Sequence, residues 1–259
     1  MRPVPRTHCE GFTLLELAVA LLLMGLLFGS LFLPLQQQLE SRRTEATAQL
    51  LRQAREALLG YAAANGYFPC PADAAGGGRE PAASDHTTGS CPAYFGWLPG
   101  AALGLQATDA QGYAVDAWPG SANRIRYAVA KDTVGAVASP FTRINGMRTA
   151  TIASLADSAL SLFHVCSSAS AVVAGTSCGA GATLVSSAAV VIWSVGPNGS
   201  RGGASADEAE NPNPNGGSPD RIFVSRARGG LEGREFDDQL QWVPMPLLVA
   251  RMVAAGHLP

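Results

Sequence analysis

The sequence is poor in the residues on which nucleic-acid-binding proteins and many enzymes depend. It holds a single lysine, Lys131, and its 18 basic residues are outnumbered by 20 acidic ones, which gives a formal net charge of −2. Binding to a phosphate backbone needs a concentrated positive field, so no nucleic-acid partner is indicated. The glycines that follow Val195 lack the lysine of a phosphate-binding loop, which argues against that kind of nucleotide site.

Signatures of a zinc centre or of a reactive thiol are also missing. The sequence has no CxxC or HxxxH spacing and no cysteine in a reactive setting. Two of the four histidines, His8 and His257, lie near the chain ends, and His164 follows an apolar segment, where a structural role is the commoner one. We therefore predict that the protein is not an enzyme.

What the sequence does have is one long apolar run. Residues 11–35 read GFTLLELAVALLLMGLLFGSLFLPL and contain one charged side chain, Glu16. A helix needs about 20 apolar residues, each rising ~1.5 Å, to span a bilayer, so we predict a membrane-spanning segment at residues 12–35. The apolar part of a secretory signal peptide is only about 7 to 15 residues long and precedes a small-residue cleavage site, which this run does not do.

Glu16 is the unusual residue of the run. An acidic side chain inside a hydrocarbon-embedded helix costs on the order of 2 to 3 kcal/mol, so it is expected to have a partner. No lysine, arginine or histidine of the same helix lies within reach. The partner must then be a chain terminus, a lipid headgroup or another protein chain.

Gly11 to Leu17, GFTLLEL, resembles the prepilin cleavage motif of type IV pilins and type II secretion pseudopilins. In that family a prepilin peptidase cuts after the glycine and methylates the new phenylalanine amine, and the glutamate pairs with the terminus of a neighbouring subunit. The resemblance implies a leader at residues 1–11, a mature N-terminus at Phe12 and an assembly carboxylate at Glu16. It also implies three partners: the peptidase, other pilin subunits and an inner-membrane assembly platform. The alternative is an uncleaved anchor with an accidental acid.

The cysteines bear on the compartment. Cys9 lies in the implied leader, and an even set of four follows the apolar run, which suits an oxidising periplasm. With the resemblance, this predicts a single-pass inner-membrane protein whose C-terminal domain is periplasmic. Four cysteines allow three pairings, and we favour Cys70 with Cys91 and Cys166 with Cys178, each closing a short loop. Four separate buried thiols are the alternative.

Apolar residues recur at three- and four-residue spacing beyond the membrane segment, so the helix is predicted to continue into solvent. Asn65 and Gly66, followed by Pro69, predict its end. The helix then has a membrane-spanning half at residues 12–35 and a periplasmic half at residues 36–66, and residues 67–259 form a globular periplasmic domain. Residues 67–105 are dense in proline and glycine and predict an extended loop.

The rest of the chain alternates between strand and helix patterns. The predicted strands are 124–130, a strand or hairpin within 141–152, a central strand at 188–195, a strand at 221–225 paired beside it, and 239–243; the predicted helices are 153–163 and 244–255. A long N-terminal helix packed on a C-terminal antiparallel sheet is a pilin-like α+β arrangement. Residues 191–199 and 236–244 also resemble the last strands of pseudopilins.

The loop at 196–220 contains hard oxygen ligands of the kind that bind calcium. They are Asn198, Asp207, Glu208, Glu210 and Asp220. Major pseudopilins bind calcium in the corresponding loop, which usually opens with an aspartate where this chain has Asn198. The EF-hand spacing is absent, and a solvated loop is the alternative. Asp237 and Asp238 either close this site or cap and solvate a strand end, and the second interpretation is favoured.

These observations predict a structural subunit of a type IV pilus or a type II secretion pseudopilus. Because the chain is longer than a typical major pseudopilin, a minor subunit is favoured. The alternative is a membrane-tethered periplasmic binding module or adhesin that uses the pilin signal for placement, with its cysteine-bounded loops as the recognition surface. The sequence leaves open whether the filament serves secretion, retraction or DNA uptake.

Overall fold

The N-terminal part of the chain is one long helix, α1, at Leu14–Asn65. The computed structural model describes residues 13–120, 123–134, 137–149, 152–155, 161–173, 176–179, 181–199, 205–211, 221–230 and 235–258. The helix ends at the predicted stop, where Gly66 has a φ of +80° that only glycine adopts without strain. Over the part of the chain described, no helix combines the length and apolar character needed to cross a membrane.

The chain divides into two compact units, Met1–Thr44 and Glu45–Pro259. Short strands and helices follow α1 in the second unit. In chain order they are β1 (Phe95–Trp97), β2 (Arg126–Val129), β3 (Thr133–Val134), β4 (Val137–Ala138), α2 (Gly146–Thr149), α3 (Ile152–Leu155), β5 (Phe163–Cys166), β6 (Val172–Val173), β7 (Ser177–Cys178), β8 (Thr183–Ser194), α4 (Ala206–Ala209), β9 (Ile222–Val224), β10 (Gln239–Pro244) and α5 (Met245–Ala254).

Strand β8 organises the main sheet. Within the described residues the sheet order is β1-β2-β8-β5-β9, and β10 also pairs with β8. The second half of β8 lies between β2 and β10, whereas its first half pairs with β5. The last seven residues of β8 are buried on both faces, which explains why residues 188–193 form a continuous apolar run. The fold class is α+β, as predicted.

The core of the second unit joins the end of α1 to this sheet. Leu51, Ala54 and Leu58 of α1 are buried in the same cluster as Ile192 and Trp193 of β8. Their three- and four-residue spacing places them on one face of the helix. Burying such side chains contributes roughly 1.5 to 3 kcal/mol for each large one. The apolar stripe seen in the sequence is therefore the contact face of this part of α1.

The sheet departs from the predicted topology at one edge. β9 was expected beside the central strand in an antiparallel sheet, but it pairs with β5 instead, and the pairing is parallel. All other strand pairs recorded among the described residues are antiparallel. The sheet is therefore mixed. The first half of β8 is already paired with β5, so β9 takes the outer edge of β5.

Three local predictions are also corrected. Residues 141–152 contain the short helix α2 and the start of α3 in place of a strand or hairpin. Of the helix predicted at 153–163, the described residues contain α3, whereas Phe163 begins strand β5; residues 156–160 lie outside the described part. The loop at 67–105 contains β1, which completes the sheet beside β2. The elements α2, α3 and β1 are each four residues or shorter, which is too short for the sequence to show a helix or strand period.

Two disulfides link the cysteines beyond α1. Cys70 is bonded to Cys91 and Cys166 to Cys178, with Cα–Cα distances of 5.5 Å in both pairs. These are the pairings favoured from the sequence. The first closes the proline-rich loop before β1, and the second ties β5 to β7.

Candidate functional site

Three carboxylates meet at the end of β8. Glu208 of α4 and the consecutive Asp237 and Asp238, just before β10, each place an oxygen within 4.8 Å of the others. Glu208 and Asp238 are 1% and 7% exposed, and Asp237 is half-buried. The first residue of β10, Gln239, pairs with Ser194 at the end of β8. Asp237 and Asp238, which precede β10, therefore lie beside the turn that follows β8. We call these three residues the carboxylate cluster.

Local structure holds each member of the cluster in place. The Ser205 side chain caps α4 by accepting from the Glu208 N–H, and Glu208 Oε1 accepts from the Asp237 N–H at 2.8 Å. Asn211 Nδ2 donates to Asp238 Oδ2 at 2.7 Å. Gly196 is required nearby, because a Cβ there would lie 2.2 Å from Asp237 Oδ1. The turn and the aspartate therefore fit only with glycine at this position.

Burial and mutual repulsion act on the ionisation of the cluster. Burial, followed by the charge of Glu208, raises the pKa of Asp237 to about 7, although the charge of Arg228 acts in the opposite direction. Burial also raises the pKa of Asp238 well above its usual range, and the charges of Glu208 and Asp237 add to this effect. Like charges held this close favour either a bound proton or a bound cation.

The oxygen atoms of the cluster suit a calcium ion. Calcium takes six to eight oxygen ligands at about 2.3–2.6 Å, so ligand oxygens within 4.8 Å of one another can share one ion. Asn198 Nδ2 donates to Glu208 Oε2 at 3.0 Å. Asn198 Oδ1 and Asp237 Oδ1 are buried without a hydrogen-bond donor among the described residues. Buried acceptors of this kind are stabilised by a cation.

The structure brings together part of the ligand set predicted from the sequence. Glu208 lies in the cluster and Asn198 borders it. Asp207 points elsewhere, because its carboxylate accepts from Arg226 Nε at 2.6 Å and from the Ala169 N–H at 2.8 Å. Glu210 is not among the three converging carboxylates. Asp220 lies outside the described residues.

Asp237 and Asp238 correct the favoured interpretation of the acidic pair. Asp238 is buried rather than solvated, and both carboxylates lie close to Glu208, about thirty positions earlier in the chain. The sequence signal for this site was the position of the acidic pair directly before a strand that flanks the central strand. The partner of the pair could not be read from its neighbours in sequence.

The start of α1 forms a second site, around Glu16. Thr13 precedes the helix, and the Thr13 N–H and Oγ1 both donate to Glu16 Oε2 at 3.1 Å. In return, the Glu16 N–H donates to Thr13 Oγ1 at 3.2 Å. This reciprocal pair is a capping box, and the Thr-x-x-Glu spacing of Thr13 and Glu16 is its sequence signal. Glu16 is exposed.

The capping box gives Glu16 neutral hydrogen-bond donors without neutralising its charge. Residues 13–38 contain no lysine, arginine or histidine. Hydrogen bonds from an amide and a hydroxyl orient a carboxylate, whereas only a cation or a proton removes its net charge. Gly11 and Phe12, the predicted processing residues, lie outside the described part of the chain.

Comparison with known proteins identifies the N-terminal segment. Residues 6–32 match the family model described as the prokaryotic N-terminal methylation motif. The chain carries a type IV pilin or pseudopilin signal. No curated protein and no solved structure matches the chain. The match therefore covers the segment that contains Gly11, Phe12 and Glu16. The domain that follows this segment lies outside the match.

A further polar cluster lies in the loop after α1. Glu80 Oε2 accepts from the Cys70 N–H at 2.8 Å and lies 2.7 Å from His86 Nε2, while His86 Nδ1 lies 2.7 Å from the Thr142 carbonyl oxygen. Tyr61 of α1 donates to Glu80 Oε1 at 3.2 Å. The Cys70 sulfur is committed to a disulfide, so this group does not form a zinc site.

The surroundings of His86 favour its protonated form. Both ring nitrogens face oxygen acceptors, and only the doubly protonated ring can donate to both. Burial lowers the pKa of His86, but the hydrogen bonds to Glu80 and Thr142 and the charges of Glu80 and Asp85 raise it by more, to a value above 6.5. The Tyr67 ring packs against the imidazole at 4.3 Å between centroids.

We expect the stability of the chain to decrease as the pH rises above neutrality, in part through His86. The folded state binds this proton more tightly than the unfolded chain, so the stabilisation is complete below about pH 6.5 and is lost as the pH rises through the raised folded-state pKa. The loss should be on the order of 1 kcal/mol. Urea unfolding between pH 6 and 9 measures it.

The His86→Gln variant should show a flatter pH profile over this range because the titrating group is gone. His257→Gln is the matched control, since His257 is also part-buried and bonded to a backbone carbonyl, that of Ala63. An unchanged profile in His86→Gln would mean that another group causes the dependence.

Proposed function

We propose that this protein is a minor structural subunit of a type IV pilus or a type II secretion pseudopilus. In this proposal prepilin peptidase cuts after Gly11 and methylates the amine of Phe12, and the subunit assembles with other pilins through α1. The observation that carries the proposal is the methylation motif at residues 6–32, within which the long helix α1 begins at Leu14. The proposal assigns no catalytic role to the chain.

The placement of the chain is part of the same proposal. The apolar run at residues 12–35 would anchor the precursor in the inner membrane. The support for this anchor is the apolar sequence of the run and the pilin signal. The two disulfides support a periplasmic location for the domain, because disulfides persist in oxidising compartments. An inner-membrane assembly platform would then extract the subunit into a filament.

We also propose that the carboxylate cluster binds one calcium ion. Glu208, Asp237 and Asp238 would supply charged ligands, and Asn198 Oδ1 is the neutral oxygen beside them. The ion would cross-link α4, the turn after β8 and the start of β10. Its role would be structural, since a bound cation removes the repulsion among three closely spaced acids.

Intact-mass spectrometry of the chain expressed with an active prepilin peptidase tests the processing step. We expect the mature protein to begin at a methylated Phe12. Gly11→Val should remain at full length, because a branched side chain then precedes the bond to be cut. Gly25→Val is the matched control: an added Cβ there meets nothing within 4 Å, so processing should continue. A wild-type chain that still begins at Met1 would contradict the proposal.

A further inference from the structure

A cavity of about 360 Å³ lies between the disulfide-bounded loop and the edge of the main sheet. Its walls are largely apolar and include three prolines, Pro71, Pro81 and Pro92, and two aromatic rings, Phe95 and Trp97 of β1. Pro71 and Pro81 lie in the loop that the Cys70–Cys91 disulfide closes, and Pro92 directly follows Cys91. The cavity is therefore framed by a covalently closed loop on one side and by β1 on the other.

Arg126 of β2 contributes a cationic side chain to the lining of this apolar cavity. The residue is 8% exposed, and its Nε is buried without a hydrogen-bond acceptor. No described residue forms an ion pair or hydrogen bond with the guanidinium; its recorded contact is with the Trp97 ring, 5.3 Å from the ring centre. Its backbone is fixed on both sides, because β2 lies between β1 and β8.

A buried guanidinium without an anion is costly to the fold. Burial, and secondarily the charge of Arg124, lower the pKa of Arg126 to about 10, so the side chain is still cationic at neutral pH. An unpaired buried charge forfeits its hydration without a compensating partner. Arg124, whose charge acts on Arg126, differs in this respect, because its Nε is paired with Asp109 at 2.7 Å.

The lining indicates which kind of anion the cavity would accept. A guanidinium fork matches the two oxygens of a carboxylate, and its donors are most effective where water is excluded. Prolines and aromatic rings provide contact area for an apolar or aromatic group but few hydrogen bonds for the extra oxygens of a phosphate. Asp73, exposed at the rim, adds one negative charge that disfavours multiply charged anions. These features together favour a monoanion with an apolar body.

We propose that this cavity binds an organic carboxylate that bears an apolar or aromatic group, with its carboxylate on Arg126 and its apolar group between the prolines and Trp97. The same chemistry is offered by a free small acid and by the C-terminal carboxylate of a peptide that ends in an apolar residue. The site is separate from the carboxylate cluster and does not depend on the proposed filament role.

Isothermal titration calorimetry of the full chain in detergent micelles tests the proposal, with phenylpropionate as the small acid and its amide as the uncharged analogue. A short peptide ending in phenylalanine, with a free or an amidated C-terminus, tests the second source. We expect binding of at least one carboxylate form, and at least about tenfold weaker binding of the matching amide, since a charge-assisted bidentate contact is lost. Binding of the peptide alone would identify a chain end as the ligand.

The Arg126→Met variant separates binding from folding. It should lose carboxylate affinity by at least about tenfold while its melting temperature in the absence of ligand stays the same or rises, because an unpaired buried charge is replaced by an apolar side chain. Arg124→Met is the matched control: it removes a charge near the same Trp97 ring but not from the cavity lining, so binding should persist.

Three results would overturn the proposal. They are the absence of binding by both carboxylates, equal binding of acid and amide, and unchanged carboxylate affinity in Arg126→Met. A lower melting temperature in Arg126→Met, combined with retained binding, would show that Arg126 acts only by packing on Trp97.

Discussion

Replacing Glu16 by alanine should leave processing at Gly11 intact but reduce incorporation of the subunit into filaments by at least about 100-fold. In the proposed assembly, the Glu16 carboxylate neutralises the amine of Phe12 on a neighbouring subunit within a core of apolar helices. Removing one partner of a buried ion pair leaves an uncompensated charge, which costs about 3 to 5 kcal/mol. Since 1.4 kcal/mol corresponds to a factor of ten, the expected loss is large.

The capping box adds a second, smaller effect of the same substitution. Loss of the Glu16 side chain leaves the Thr13 N–H without its partner at the start of α1, at a cost of roughly 0.5 to 2 kcal/mol. Glu16→Gln preserves a side-chain acceptor for this contact but not the charge. If the charge is what matters, Glu16→Gln should assemble as poorly as Glu16→Ala.

Quantitative immunoblotting of sheared filaments, alongside the mass of the membrane-bound pool, measures both steps. Glu40→Ala is the matched control, because it removes the next acidic side chain of α1 and should assemble normally. Filaments that contain Glu16→Ala in wild-type amounts would show that the carboxylate has no assembly role, and that its capping contacts are its whole function.

Calcium is expected to raise the melting temperature of the chain by about 5–10 °C relative to the same protein in chelator. A ligand present at 100 times its Kd stabilises the folded state by about 2.7 kcal/mol, and for a chain of this size each kcal/mol shifts the melting temperature by roughly 2–4 °C. Differential scanning calorimetry of the full chain in calcium, magnesium and chelator measures the effect. Magnesium should give a smaller shift, because it demands tighter octahedral geometry.

The calcium effect should also be smaller at pH 5.5 than at pH 7.5. The pKa of Asp237 is raised to about 7 and that of Asp238 is raised well above its usual range, so at low pH the ion must displace protons from its ligands. At the higher pH fewer protons compete. An effect that is equal at both values would place the ion at other, unperturbed carboxylates.

Two substitutions in α4 separate the carboxylate cluster from its surroundings. Glu208→Gln should abolish most of the calcium-induced shift, because it removes one of the three converging charges. The adjacent Asp207→Asn should retain the shift, although the protein is destabilised, since Asp207 is paired with Arg226 and not with the cluster. A full calcium shift in Glu208→Gln would rule out the cluster as the binding site.

Much of the helix and strand content followed from local sequence. The span of α1 to Asn65 follows from its apolar spacing and its Asn-Gly stop, and β8, β10 and α5 follow from runs long enough to show a period. The pilin signal is also local, because the motif is a short contiguous stretch around the residue to be cut. The favoured cysteine pairs are close in sequence, and the structure contains both of them.

Tertiary structure alone decided which distant segments meet. The parallel pairing of β9 with β5 depends on which edges β8 leaves open, and no local pattern records that. Asp237 reaches Glu208 only because β10 pairs with β8, and Arg126 becomes an unpaired cation only where β2 borders a cavity walled by Pro71 and Trp97. Local periodicity reports which face of an element is buried, whereas the sites depend on contacts between elements far apart in the chain.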